Sequence, residues 1–263
     1  MIYSITKQVV ITIENDELKL YRGEDFIVSP HIRIHQPTLN EICDYGEKEY
    51  YSMICQLTAA PQNLKFQLWD IGIDYTQVTA FQLFYSLFYK LYPREKTSIL
   101  FGNLDFTKFE VLQRKDDASI FLYQAIVTDD HHTEPLIIDE YTYNVITDYI
   151  RNVHFIEKDE RLPVNEATKL ALIEDDRDAW QNSQSQPGHS QLKNLVSSMV
   201  NSEGFKYNHS QVWDMKINAF MDSVKRISKI QNAALLLQSG YSGFGVNLKE
   251  IDNKQLNWLG ELE

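Results

Sequence analysis

The sequence predicts an α+β fold, in which an N-terminal region of β-hairpins and helices precedes a mainly helical C-terminal region. Two observations predict this organisation. Apolar side chains alternate with a period near two within residues 2–34 and 101–124, whereas later segments repeat every three or four residues. The net charge also changes along the chain, from −6 over residues 1–133 and −7 over 134–188 to +1 over 189–263.

The chain begins with a predicted β region over residues 2–34. Its apolar positions alternate with polar ones, and residues 15–17 supply turn chemistry between two extended runs. The alternating positions include Val9, Ile11, Ile13, Leu18, Leu20, Phe26, Val28, Ile32 and Ile34.

A helical middle section follows this β region. Thr38 and Glu41 have the spacing of a capping box, which predicts a helix over 39–58 with a weak point at Gly46. Pro61 begins a short helix that runs to Trp69 and ends near Gly72. Residues 78–92 form a strongly apolar segment that we expect to be a buried helix closed by Pro93.

The period then returns to two before the chain becomes helical again. Residues 109–113 and 120–124 are predicted to form a hairpin across a polar turn. Residues 135–155 have the pattern of a strand followed by a helix, and residues 166–180 that of a polar helix.

Residues 181–189 are rich in Gln and Ser, lack apolar side chains and coincide with the change in net charge. This composition is typical of a linker, so we predict an α+β domain over 1–180, a linker over 181–189 and a helical domain over 190–263. Within the last domain, helices are predicted over 191–201 and 210–237. Gly240 is expected to end the longer helix with a positive φ.

Composition excludes several classes of protein. The 263 residues include 25 Lys and Arg against 37 Asp and Glu, a net charge of −12, which argues against nucleic acid as the main partner. No run reaches the roughly 18 apolar residues of a membrane-spanning helix, and the N-terminus lacks the pattern of a signal peptide. Cys43 and Cys55 are expected to be buried free thiols in a reducing compartment.

Three segments contain residue types found at catalytic or metal sites, but none has the required spacing. Residues 129–132 (Asp-Asp-His-His) lack further ligands at a suitable distance in sequence. Residues 239–245 match neither a phosphate-binding loop nor a nucleophile elbow, and the acidic run 174–178 is typical of a solvated helix face. We therefore predict a non-enzymatic protein with no catalytic site, metal or cofactor.

Several stretches resemble proteins from the tail module of tailed phages and prophages of low-GC Gram-positive bacteria. The resemblance covers residues 35–75, LFGNLDF at 100–106, residues 200–245 and LNWLGEL at 256–262. It implies a role like that of a tail assembly chaperone, encoded near the tape-measure gene and acting in the host cytoplasm. The implied partner is a phage tail protein, either the tape measure or a tube or baseplate subunit. The alternative is a structural component retained in the virion, such as a baseplate or tail-completion protein.

The longest predicted helix carries an apolar seam with two possible roles, core packing or partner binding. Its positions are Trp213, Ile217, Phe220, Val224, Ile227 and Ala234. Nearby aromatic and apolar side chains around the glycine-rich turn are candidates for a partner surface, and the oligomeric state stays open. The predicted partner-binding residues are Trp213, Phe220, Met221, Tyr241 and Phe244.

Overall fold

The computed structural model describes residues 17–127, 132–184, 189–242 and 245–262. The predicted α+β class is confirmed, because a two-stranded sheet, a three-stranded sheet and a set of helices make up these residues. The part of the predicted β region that covers residues 2–16 lies outside the described residues, as do Asp129, Asp130 and His131.

The described chain begins with a short helix, α1 (Glu17–Arg22), where the sequence had predicted an extended run. Leu18 and Leu20 have the two-residue spacing of a strand, but they lie on a helix and Leu18 is mostly exposed. The predicted extended run is therefore wrong here. Tertiary contacts stabilise α1 instead: the Gln36 side chain donates to the Leu20 carbonyl at 2.9 Å. Gly23, with φ of +73°, ends the helix and donates its amide to the same carbonyl.

The β structure predicted within residues 26–34 is confirmed, and it forms a hairpin. Strands β1 (Phe26–Ser29) and β2 (Ile32–Ile34) pair antiparallel, with Phe26 opposite Ile34. The capping box is also confirmed, since the Thr38 hydroxyl accepts from the Glu41 amide at 3.2 Å and the Glu41 carboxylate accepts from the Thr38 amide at 2.6 Å.

The single helix predicted over 39–58 is two helices, α2 (Leu39–Tyr45) and α3 (Glu47–Leu57). Gly46 separates them with φ of +105°, a conformation that residues with a Cβ rarely adopt. The weak point predicted at Gly46 is therefore a break between α2 and α3, each of which has a buried face.

The remaining helices of the middle section are short. A 3₁₀ turn over Pro61–Asn63 leads into α4 (Lys65–Asp70). The apolar segment predicted as one helix is α5 (Ala80–Leu83), a π-helical turn (Phe84–Phe88) and a 3₁₀ turn (Tyr89–Leu91). It is followed by α6 (Arg94–Phe101).

The second sheet has the strand order β3–β4–β5, and all its pairs are antiparallel. Its strands are β3 (Glu110–Gln113), β4 (Ile120–Val127) and β5 (Thr133–Ile138). The predicted hairpin is confirmed by its register, since Val111 lies opposite Leu122 and Gln113 opposite Ile120. The predicted strand-then-helix is also confirmed, because β5 leads into α7 (Glu140–His154).

The C-terminal part contains α8 (Glu166–Gln184), α9 (Gln191–Val200), α10 (Ile217–Tyr241) and α11 (Asn253–Leu256). Residues 181–184 of the predicted linker form the end of α8, and residues 185–188 lie outside the described residues. The division into domains stays a prediction. The longest helix begins at Ile217 rather than residue 210, because residues 212–214 form a separate 3₁₀ turn.

One hydrophobic cluster draws on both the N-terminal and C-terminal parts of the chain. It includes Tyr50 of α3, Phe84, Ile150 of α7, Leu192 of α9 and Phe220 of α10. A smaller cluster joins α4 to α8 through Phe66, Leu68, Tyr75, Leu83 and Ile173.

A buried polar network joins α3 to α7. The Nδ1 atom of His154 lies 2.7 Å from the Ile150 carbonyl oxygen, and its Nε2 atom lies 2.6 Å from the Tyr50 hydroxyl. A carbonyl can only accept, so Nδ1 carries the proton and Tyr50 donates to Nε2. Burial lowers the pKa of His154 to about 4, although the hydrogen bond to Ile150 acts in the opposite direction.

Both cysteines are free thiols, but the prediction that they are buried is wrong. Each follows a buried isoleucine, Ile42 in α2 and Ile54 in α3. Because successive helical side chains differ in direction by about 100°, Cys43 and Cys55 lie on the outward faces of these helices.

Candidate functional site

The candidate site is built on α10, whose first half lies in the core. Ile217 and Phe220 are fully buried, and Val224 and Ile227 pack against the same hydrophobic cluster. These four positions are separated by three, four and three residues, so they lie along one stripe of the helix. The first half of the predicted seam therefore fills the protein's own core.

The same stripe continues along the second half of α10, where the core no longer covers it. Continuing the spacing of four and three residues from Ile227 gives four exposed positions, which we call the outer seam. The outer seam consists of Gln231, Ala234, Gln238 and Tyr241. Exposed apolar side chains flank it at Ile230 and Leu235, and Tyr241 is 80% exposed.

The C-terminal segment, residues 245–262, folds back along the opposite side of α10. Arg226 donates to the carbonyl oxygens of Trp258 and Gly260, at 2.7 Å in both cases, and Lys229 donates to the carbonyl of Glu261. These basic residues and Ala233, which is buried, point away from the stripe by more than about 100°. The segment therefore stabilises the second half of α10 and leaves the outer seam open.

Gly240 lies where the returning segment packs on α10, and the prediction that this glycine ends the helix is wrong. It lies inside α10, which continues to Tyr241 and is capped by Ser242. A Cβ atom at residue 240 would lie only 2.3 Å from the Leu248 side chain. The absence of a side chain at Gly240 thus lets the returning segment approach α10 closely.

The outer seam lies in an electrically neutral part of an acidic protein. Residues 230–248 contain no Asp, Glu, Lys or Arg, whereas α8 carries seven charged side chains. Charged residues occur on α10 only before this stretch. Among them, Asp222 has its pKa raised by burial, which the charge of Arg226 partly offsets.

This combination of geometry and charge suits contact with another helix. The outer seam has the spacing of a coiled-coil face, with the small Ala234 between two uncharged amides. Leu235, 62% exposed, and Tyr241 can supply apolar contact area on either side. The exposed surface of α8, by contrast, is strongly charged, so the two helix surfaces differ in composition.

The five predicted partner residues fall in different environments. Phe220 is fully buried, so its placement on a partner surface is wrong. Trp213 and Met221 are partly covered, and both pack against the main cluster. Only Tyr241 lies on an open surface, and Phe244 is outside the described residues.

The apolar seam that was predicted from the sequence differs from the structure in two ways. Ala234 belongs to the exposed outer seam, and the neighbouring Ala233 is the buried alanine. The outer seam was missed because Gln231 and Gln238 interrupt the apolar repeat. The charge-free run over 230–248 is the signal in the sequence that marks this face.

A second candidate is an open groove of about 540 Å³ between β2, α2 and α6. His35 lies at its edge with Nδ1 2.8 Å from Asp25 and Nε2 3.2 Å from Glu41. Partial burial acts to raise the pKa of Glu41, but hydrogen bonds from Thr38 and the charges of His35 and Lys216 lower it overall. Asp25, His35 and Glu41 therefore link the β1–β2 hairpin to α2, and each imidazole nitrogen of His35 contacts a carboxylate of this chain.

Two further findings concern the described residues alone. Within 17–127, 132–184, 189–242 and 245–262, no group of three or more His, Cys, Asp or Glu side chains is arranged to hold a metal ion. Over the same ranges, no helix combines the length and apolar character needed to cross a bilayer.

Comparison with known proteins gives a family match for the C-terminal part of the chain. No curated protein matches the chain, and no solved structure matches it. Residues 182–263, which contain α9, α10, the outer seam and the returning segment, match the family model described as the YomV second domain. That family is phage-derived, so the C-terminal part of this chain is similar to a phage protein domain.

Proposed function

We propose that this chain is a non-enzymatic phage tail-module protein that acts as an assembly chaperone or accessory factor. Its client is a helical segment of a tail subunit, either the tape measure or a tube or baseplate protein. The outer seam of α10 receives this segment, with Leu235 and Tyr241 as apolar anchors. The protein acts in the host cytoplasm during assembly, and retention in the virion is the alternative.

The observation that carries this proposal is the uncovered seam within the residues that match a phage-derived family. An exposed stripe with three- and four-residue spacing is the surface that a second helix occupies in helix-in-groove and coiled-coil recognition. The net charge of −12 supports the same role. Complexes that carry this charge repel one another, which keeps them soluble while they hold an aggregation-prone helical client.

We expect the combined change Leu235→Ala and Tyr241→Ala to weaken binding to the tail subunit by about tenfold or more, since aromatic anchors contribute much of the energy of many interfaces. Both side chains are exposed, so the variant should unfold as cooperatively as the natural chain. The measurement is a titration of the full chain with each co-expressed tail subunit from the same gene module.

A matched control is Leu162→Ala with Tyr141→Ala, which also removes an exposed leucine and an exposed tyrosine. Equal binding by the outer-seam variant and the natural chain would contradict the proposed contact. Mass spectrometry of purified particles separates the two roles, because a chaperone is absent from finished virions and a structural component is present.

A further inference from the structure

We propose that the returning segment controls whether the outer seam exists, because the second half of α10 is helical only while this segment is docked on it. Docking of the segment and binding of a client helix then reinforce each other. The link to a client rests on the proposed function, whereas the coupling of the segment to the helix does not. Among the described residues, no apolar side chain after Ile227 belongs to either hydrophobic cluster, so the core does not hold this part of α10 in place.

Burial is sparse throughout the second half of α10 and the returning segment. Ala233 is the single fully buried residue among those that the structure describes after Phe220. The best-covered apolar side chains of the returning segment are only partly buried, and they include Leu248, Ile251 and Leu256. Neither piece has a core of its own, and a part of a protein with so few buried contacts opens at a small cost in free energy.

The two pieces contact each other along the turns that carry the seam, on the side away from it. Near the middle of α10, Arg226 and Lys229 donate to main-chain carbonyls within residues 258–261. Near the end of α10, the Val246 amide donates to the Ser239 hydroxyl at 3.2 Å. The returning segment therefore bridges the stretch of α10 from residue 226 to residue 239, which includes three of the four outer-seam positions.

Without these contacts, the second half of α10 would be only marginally helical. Helical stretches of this length are marginal in water when nothing packs against them. Residues 230–241 also include Asn232 and Gly240, and glycine is the weakest helix former after proline. Undocking of the returning segment would therefore unwind this part of the helix and separate the seam positions. Coupling of this kind is reciprocal, so a bound client helix would tighten the docked segment.

The test uses Gly240→Leu in the full chain. A Cβ atom at residue 240 would lie 2.3 Å from the Leu248 side chain, so a leucine there blocks docking and leaves every outer-seam residue unchanged. Leucine is a better helix former than glycine, so intrinsic propensity alone predicts more helix in this variant. We expect the opposite: the helical Cα chemical shifts over residues 230–241 are lost, whereas those around Phe220 stay as in the natural chain. Asn232→Leu, an exposed change on α10 outside the outer seam, is the matched control and should keep these shifts.

A second variant, Arg226→Ala with Lys229→Ala, removes the donors to the returning segment without adding bulk and should lose the same shifts. Helical shifts that persist over residues 230–241 in both variants would overturn the inference. Titration with the co-expressed tail subunits tests the link to a client, and Gly240→Leu should weaken binding by about tenfold or more. Full affinity in a variant whose second half of α10 has unwound would overturn that link. A natural chain that binds none of these subunits would contradict the proposed function instead, while the chemical shifts still decide the coupling.

Discussion

Replacing Phe220 by alanine is expected to lower the free energy of unfolding by about 3–5 kcal/mol. The side chain is fully buried and belongs to the cluster that joins α10 to α3, α7 and α9. Removing the ring loses its burial and leaves a cavity that the surrounding helices fill only in part. Urea unfolding followed by circular dichroism measures the change.

The matched control is Leu235→Ala on the same helix, which should change the free energy of unfolding by no more than about 0.5 kcal/mol in the monomer, as at other exposed positions. The two variants together separate the covered half of α10 from its open half. A loss below about 1 kcal/mol for Phe220→Ala would show that α10 contributes little to the core.

Acidification from about pH 6.5 to pH 4 is expected to reduce the free energy of unfolding through His154. Burial lowers the pKa of this residue to about 4 in the folded chain, whereas an unfolded histidine titrates near 6.5. Between these values the unfolded chain binds a proton that the folded chain does not, so stability falls as the pH falls. The shift corresponds to a loss on the order of 3 kcal/mol, complete near pH 4.

The measurement is the free energy of unfolding at several pH values across this window. His154→Gln is the comparison, because glutamine retains hydrogen-bonding groups but does not titrate. Its stability should vary less with pH than that of the natural chain. Carboxylates with lowered pKa values, such as Asp74 and Asp139, lose their stabilising charge mainly below this window. Parallel curves for the two proteins would contradict the role assigned to His154.

Local signals in the sequence predicted much of the fold. The Thr38 capping box, the strands within residues 26–34 and the register of Val111 with Leu122 each depend on residues close together in the chain. The helix α1 was missed because its stability comes from Gln36 and other distant contacts. The break at Gly46 was recognised only as a weak point, since sequence alone does not show whether a glycine adopts a positive φ.

The candidate site was predicted less well for a physical reason. The periodicity of α10 is the same in its covered and uncovered halves, so the pattern that placed Phe220 on a seam did not show that the core ends after Ile227. Burial of Phe220 and exposure of Tyr241 depend on how far neighbouring helices extend along α10. That length is a property of the assembled fold.

One consequence of this arrangement concerns the backbone of α10. Its 25 residues form a continuous helix, whose first half is covered by the main cluster. Among the described residues, the returning segment supports the second half. Backbone amides from about residue 230 onward should therefore exchange with solvent deuterium through local opening, whereas those near Phe220 should exchange only when the whole protein unfolds. A helix bound to the outer seam would slow exchange in the second half without affecting the first.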